Sequence, residues 1–222
     1  MPTAVCFDLD GTLFDDRQYV RAGLEHAGEV YADRTGVDLT DAFLRAYFQA
    51  NMTDATFDAV LSERGHSLEA VPELVDAYHA NDAALVPFPD AEPTLAVLEK
   101  EYALGLVTGG RNGHAKLRRL GLADYFDAVV VSPELDTSKR EPEPYETALR
   151  RLDVPAKAAV YVGDHPKLDV PQPRSLGMRT VRVRRGQYAG RVPTGDAVPD
   201  VTIKSLAALP DALAALPDDC TE

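Results

Sequence analysis

The stretch AVCFDLDGTL, from Ala4 to Leu13, decides the fold. Its apolar first half predicts a buried strand over Ala4–Leu9, interrupted by the aspartates Asp8 and Asp10. One interpretation of Asp8 to Gly11 is a turn that only closes the strand, because aspartate and glycine are common turn residues. The alternative is a ligand site, since open α/β sheets bind their ligands at the carboxyl ends of strands.

Further apolar runs predict more strands, and helical patterns lie between them. The strands are predicted at Leu104–Thr108, Ala128–Ser132, Ala158–Gly163, Arg179–Val183 and, more weakly, Val201–Ile203. The helices are predicted at Pro93–Tyr102, Asn112–Leu120, Pro144–Leu152, Val170–Leu176 and Ser205–Leu216. Regular alternation of strand and helix predicts an α/β fold with a doubly wound, Rossmann-like parallel sheet.

The segment between the first two strands is too long for a single crossover. It has about 90 residues, where a dozen or more would suffice. Apolar residues recur there at helical spacing and predict four short helices. We therefore expect a core domain of residues 1–15 and 88–222, with a small α-helical cap domain of residues 16–87 inserted into it.

Composition and charge restrict the class of protein. The 222 residues are 45% hydrophobic and 27% charged, as in a globular protein, and the net charge of −13 argues against nucleic-acid binding. No run of 18 apolar residues predicts a membrane span, and the N-terminus does not resemble a signal peptide, so we expect a cytoplasmic protein. A disulfide between Cys6 and Cys220 is not expected. An acidic chain with only six lysines suggests a halophilic source.

Polar residues recur where the predicted strands end. Asp8 and Asp10 follow the first strand, Thr108 ends the second, and Gly163-Asp164 ends the fourth, with Asp169 shortly after. Carboxylates that converge about 4 Å apart repel by roughly 4 kcal/mol per pair at an effective dielectric constant of 20, so they need a cation. Oxygen ligands without a nearby histidine or cysteine favour Mg²⁺, with Asp8, Asp10, Asp164 and Asp169 as the expected ligands.

These residues resemble the four motifs of the haloacid dehalogenase-like superfamily. The motifs are Asp8-Leu9-Asp10-Gly11-Thr12, then Thr108, then Lys139, and finally Gly163-Asp164 with Asp169. A lone lysine such as Lys139 would otherwise be interpreted as a solvated loop residue, and only its offset in the family pattern identifies it. Arg140 stands where the family usually has proline, and Gly109 where asparagine is frequent.

The resemblance and the chemistry of the residues predict the same roles. Asp8 would be the nucleophile that forms an aspartyl-phosphate, and Asp10 the general acid and base. Thr108 and Lys139 would bind the phosphoryl oxygens of the transition state. The predicted phosphate site comprises Asp8, Gly11, Thr12, Thr108, Gly109, Gly110 and Lys139.

The sequence thus predicts a Mg²⁺-dependent phosphatase acting on a small phosphorylated metabolite. A 2-haloacid dehalogenase of the same fold attacks carbon, needs no metal and has no use for an acid at Asp10. A phosphomutase would keep both aspartates, and a non-catalytic binding module would bind metal without turnover. The sequence predicts neither the identity of the metabolite nor the oligomeric state.

Overall fold

The computed structural model describes residues 2–216, and the chain divides into two compact units. One unit contains the first 15 residues and the chain from Leu85 onward, and the other is Asp16–Ala84. The second boundary lies three residues before the expected one. Pro87 pairs with Phe14 in an isolated bridge and the Phe88 amide donates to the Leu13 carbonyl, so the returning chain already pairs with the first unit at Pro87.

The inserted unit is helical. It contains α1 (Arg17–Thr35), α2 (Thr40–Phe48), α3 (Thr56–Glu63) and α4 (Val71–Ala80). Its core is formed by apolar residues from all four helices, among them Leu24, Phe43 and Leu74, and the rings of Phe43 and Phe57 meet edge to face at 5.0 Å. Tyr31 is also buried in this core.

In the part of the chain that the structure describes, the other unit is built on a six-stranded sheet. The strands are β1 (Ala4–Phe7), β2 (Ala103–Thr108), β3 (Ala128–Val131), β4 (Ala159–Gly163), β5 (Arg179–Val183) and β6 (Val201–Ile203). Their order is β3-β2-β1-β4-β5-β6, and every neighbouring pair is parallel. This confirms the α/β fold with a doubly wound parallel sheet. It also places the end of β1 between those of β2 and β4.

Among residues 2–216, this unit also contains five helices close to the predicted positions. They are α5 (Ala91–Leu98), α6 (Gly113–Leu120), α7 (Glu143–Leu152), α8 (Pro171–Ser175) and α9 (Leu209–Ala214). The predicted terminal helix is shorter than expected, because Pro210 fits only in the first turn, and a 3₁₀ turn at Leu206–Ala208 precedes it.

Cys6 is a buried free thiol, and burial raises its pKa to about 12. The other cysteine, Cys220, which is not expected to pair with Cys6, lies outside the described residues. Among residues 2–216, no helix combines the length and the apolar character needed to cross a bilayer.

Candidate active site

Asp8 stands directly after the central strand β1 and is 5% exposed. Its amide donates to the Val162 carbonyl of β4, which continues the sheet pairing by one residue, and the chain then turns at Leu9 to Thr12. The Thr12 hydroxyl donates to Asp8 Oδ2 at 3.2 Å. Burial raises the pKa of the Asp8 carboxyl to about 7, although the nearby Lys139 ammonium lowers it. A further positive charge beside Asp8 would favour its ionised form.

Lys139 lies at the centre of the site, although it is distant in sequence. Its Nζ is 2.7 Å from Asp8 Oδ1 and also donates to Asp169 Oδ1. Burial alone would lower the pKa of this ammonium, but Asp169 and Asp8 raise it above its usual range. The hydroxyl of Tyr145 lies 3.1 Å from the Lys139 carbonyl and 3.0 Å from the Leu168 carbonyl, so it connects the two loops that carry Lys139 and Asp169.

Three carboxylates meet beside Lys139. Oxygen atoms of Asp8, Asp164 and Asp169 all lie within 4.8 Å of one another, and all three residues are buried. With the Lys139 ammonium, the group has a formal charge of −2, which a divalent cation would neutralise. A donor set of carboxylate oxygens alone suits Mg²⁺. The residues present therefore fit the expected metal.

Gly11 keeps the approach to this cluster open. Its φ is +81°, and a Cβ placed on it would lie 2.7 Å from Asp164 Oδ2. Asp164 is 2% exposed, so it has little room to withdraw. The glycine is thus required by the close packing of the β1 turn against the Asp164 carboxylate. A separate hydrogen bond holds Asp169, whose Oδ2 accepts the His165 amide at 2.8 Å.

The fourth expected ligand, Asp10, has its carboxylate in a different contact. Thr108 donates to Asp10 Oδ2 at 3.3 Å, and Lys116 Nζ lies 2.6 Å from Asp10 Oδ1. The Gly110 amide donates to the Thr108 hydroxyl at 3.2 Å, and a Cβ on Gly109 would lie 3.3 Å from Lys139 Cδ. The structure therefore places the residues after β2 between Asp10 and Lys139.

Two basic residues of this region were not identified from the sequence. Lys116 of α6 is 5% exposed and pairs with Asp10. Arg182 of β5 is 2% exposed and donates to the carbonyls of Asp164, Tyr188 and Arg191 at 3.2, 2.5 and 2.9 Å. Arg182 thus anchors the loop after β5 to the backbone of the Asp164 loop.

Arg140 does not displace its neighbour. Its side chain is exposed, while Lys139 reaches Asp8 and Asp169. The replacement of the usual proline is therefore compatible with the expected position of Lys139.

His165 has a structural contact, because its Nδ1 accepts hydrogen bonds from the amides of Lys167 and Leu168 at 3.1 and 3.2 Å.

The fold and the site define a hydrolase of one family. Residues 5–183 match the model of the haloacid dehalogenase-like hydrolases, and the chain belongs to that family. It is 36% identical to a glyceraldehyde 3-phosphate phosphatase of Methanopyrus kandleri, over 91% of this chain and 93% of that protein. It is 31% identical to a ribulose-1,5-bisphosphate 5-phosphatase of Halopiger xanaduensis, over 82% and 84%.

A solved structure agrees with this assignment of the fold. The 2-haloacid dehalogenase of Pseudomonas syringae pv. Tomato DC3000 is 30% identical and superposes with a TM-score of 0.69. The match covers 96% of this chain and 99% of that one. Because the family contains both phosphatases and dehalogenases, the choice between these activities depends on the site.

Proposed function

We propose that this protein is a Mg²⁺-dependent phosphatase that hydrolyses a small phosphorylated metabolite through a phosphorylated form of Asp8. The main observation that supports this proposal is the cluster of Asp8, Asp164 and Asp169, three buried residues whose carboxylate oxygens lie within 4.8 Å of one another. The phosphatases among its relatives support the substrate class. When bound by these three residues, Mg²⁺ would offset the repulsion between an anionic nucleophile and an anionic phosphate.

Asp8 is the proposed nucleophile, because it directly follows the central strand and lies beside Lys139, Asp164 and Asp169. Its oxygen forms a bond to phosphorus while the ester P–O bond breaks. Lys139 Nζ, 2.7 Å from Asp8 Oδ1, is close enough to bind an oxygen of the phosphoryl group during this transfer. Thr108 and Gly110 lie against Asp10, and Gly109 lies against the Lys139 side chain.

Asp10 is the proposed acid and base. It is two residues from the nucleophile, and its side chain is 23% exposed, so it can reach a leaving group as well as water. In the first half of the reaction its proton passes to the leaving oxygen. In the second half it takes a proton from the water that attacks phosphorus, and the phosphate leaves Asp8 as a free carboxylate.

A dehalogenase is the second candidate, because the chain is 30% identical to a 2-haloacid dehalogenase. Attack on carbon displaces a halide without protonation, and it requires no cation. The cluster of three buried carboxylates and the acid at Asp10 would then have no chemical use. These features favour phosphoryl transfer.

Release of inorganic phosphate and of halide would distinguish the candidates. Wild-type protein is incubated with glyceraldehyde 3-phosphate, ribulose 1,5-bisphosphate and a 2-haloacid, each with Mg²⁺ and with EDTA, over a range of KCl. Asp8→Asn is compared with Asp124→Asn, a substitution of an exposed aspartate outside the site.

We expect phosphate release that requires Mg²⁺, is lost in Asp8→Asn and is unchanged in Asp124→Asn. Halide release in EDTA would contradict the proposal in favour of a dehalogenase. A folded wild-type protein that binds Mg²⁺ but releases phosphate from no ester would also contradict it.

A further inference from the structure

Asp10 has both of its carboxylate oxygens held by side chains of a different part of the chain. Lys116 Nζ lies 2.6 Å from Oδ1, and the Thr108 hydroxyl donates to Oδ2 at 3.3 Å. Thr108 in turn accepts the Gly110 amide at 3.2 Å. One donor on each oxygen fixes the rotation of the carboxylate, which a single hydrogen bond would leave free.

Lys116 is an unusual lysine for a surface helix. It lies in α6, whose other basic residues include the exposed Arg118, but its own side chain is only 6% exposed. Its ammonium is 6.0 Å from the centre of the Phe14 ring, in the turn that follows Asp10. A buried lysine is rare unless it is paired, and the pair here is with the residue that the mechanism needs as an acid.

The packing around this pair leaves no spare room. A Cβ placed on Gly110 would collide with Asp10 Oδ2 and would lie 3.1 Å from Lys116 Nζ. Gly110 thus allows the β2 loop to approach the Asp10–Lys116 pair closely. The position of Asp10 is therefore determined jointly by β2, its loop and α6.

We propose that Lys116 is a positioning residue, which fixes the orientation of the Asp10 side chain so that its carboxyl group, after taking a proton from solvent, can pass that proton to the leaving oxygen of the ester. This inference rests on the proposed phosphatase function and adds to it a residue outside the four motifs. The alternative is that Lys116 only neutralises a partly buried carboxylate, in which case its loss would affect folding and not the chemistry of the leaving group.

The leaving group distinguishes these roles. An alkyl phosphate, such as glyceraldehyde 3-phosphate, must release an alkoxide that needs a proton, whereas p-nitrophenyl phosphate releases a stable phenolate. The constant kcat/KM reports the steps up to departure of the leaving group. Its ratio for the two esters, measured on one preparation, is independent of the fraction of folded protein.

The variants are Lys116→Met and, as a control, Arg118→Met on the exposed side of the same helix. For Lys116→Met we expect kcat/KM on the alkyl ester to fall about tenfold or more, a part of the 10²- to 10⁴-fold that a general acid contributes. The value for p-nitrophenyl phosphate should change much less. Arg118→Met should leave both values unchanged.

Two further variants keep the test decisive if Lys116→Met does not fold. Lys116→Arg retains a cation and should keep a ratio near that of the wild type. Gly110→Ala retains Lys116 but places a methyl group against the Asp10 carboxylate, so it should show the same selective loss on the alkyl ester.

Equal losses on both esters in Lys116→Met or Gly110→Ala, or a selective loss in Lys116→Arg, would overturn the role of Lys116 and leave the phosphatase intact. Failure of the wild-type protein to release phosphate from either ester would instead overturn the proposed function.

Discussion

Gly11→Ala tests the geometry of the carboxylate cluster most directly. Gly11 has a φ of +81°, and the new methyl carbon would lie 2.7 Å from Asp164 Oδ2 and 2.9 Å from Asp164 Cγ. Real Cβ atoms do not approach other atoms so closely. Because Asp164 is 2% exposed, either its carboxylate or the β1 turn must move. Each movement displaces one of the three proposed ligands of Mg²⁺.

The expected magnitude has two separable parts. An alanine forced into the left-handed region costs about 1–2 kcal/mol of stability. Displacement of Asp164 should in addition weaken the cation site, and disturbance of groups that orient metal ligands typically costs about 10- to 100-fold in metal affinity or activity. Gly177 provides a matched control, because its φ is +90° and nothing lies within 4 Å of a Cβ placed there. Gly177→Ala should therefore show only the first part.

The assay combines urea unfolding with the Mg²⁺ concentration that gives half-maximal phosphate release. We expect both variants to lose similar stability, and only Gly11→Ala to require about tenfold more Mg²⁺ or more. An unchanged Mg²⁺ requirement in Gly11→Ala would refute the reasoning, because it would mean that Asp164 can move without loss of the site. An equal shift in Gly177→Ala would refute it as well.

Two other predictions concern stability. Burial alone would raise the pKa of Asp90, but hydrogen bonds from Ser205, Arg185 and the Leu206 amide lower it below its usual value. The ionised carboxylate therefore stabilises the fold above about pH 4. This contribution is lost as the pH falls through the pKa of the folded state. Asp90→Asn should lower the free energy of unfolding, measured in urea, by about 1–3 kcal/mol near neutral pH. The difference between variant and wild type should shrink below about pH 4. A difference that does not change with pH would contradict a stabilising role of the ionised Asp90. Because the net charge of −13 is repulsive at low ionic strength, the melting temperature should rise between about 0.1 and 1 M KCl, and a flat or falling curve would exclude salt adaptation through this charge.

The central strands β1, β2 and β4 were predictable because they are buried over nearly their whole length and are therefore rich in apolar residues. β1, β2 and β4 occur within the predicted runs or within one residue of them. Strand ends were harder to predict. The predicted strand Ala4–Leu9 includes the apolar Leu9 after Asp8, but β1 ends at Phe7. The chain begins to turn once the Asp8 amide has made its bond to the Val162 carbonyl. The burial of Leu9 belongs to that turn and not to the strand.

The residues at the strand ends were predictable for a topological reason. Parallel strands bring their carboxyl ends to one edge, so Asp8, Thr108 and Asp164 converge whatever the details of the loops. Lys139 follows β3 by several residues, and only the family motif gives its position. Its contact with both Asp8 and Asp169 depends on the path of a loop that Tyr145 holds in place.

Lys116 and Arg182 could not be distinguished from solvated charges by sequence. In α6 the segment Lys116 to Arg119 reads as a basic surface, and a difference of two residues separates the buried Lys116 from the exposed Arg118. Arg182 alternates with apolar residues in β5, which suggests an open face. It is buried because the loop after β5 covers it and supplies the carbonyls of Tyr188 and Arg191.

The distribution of the six lysines connects the charge of the chain with its site. Four of them, Lys100, Lys157, Lys167 and Lys204, are exposed, whereas Lys116 and Lys139 are buried in contact with Asp10 and Asp8. This acidic chain has few lysines, yet two of the six are buried beside the two aspartates of its first motif. The proposed nucleophile Asp8 and the proposed acid Asp10 are therefore each paired with a separate lysine, Lys139 and Lys116.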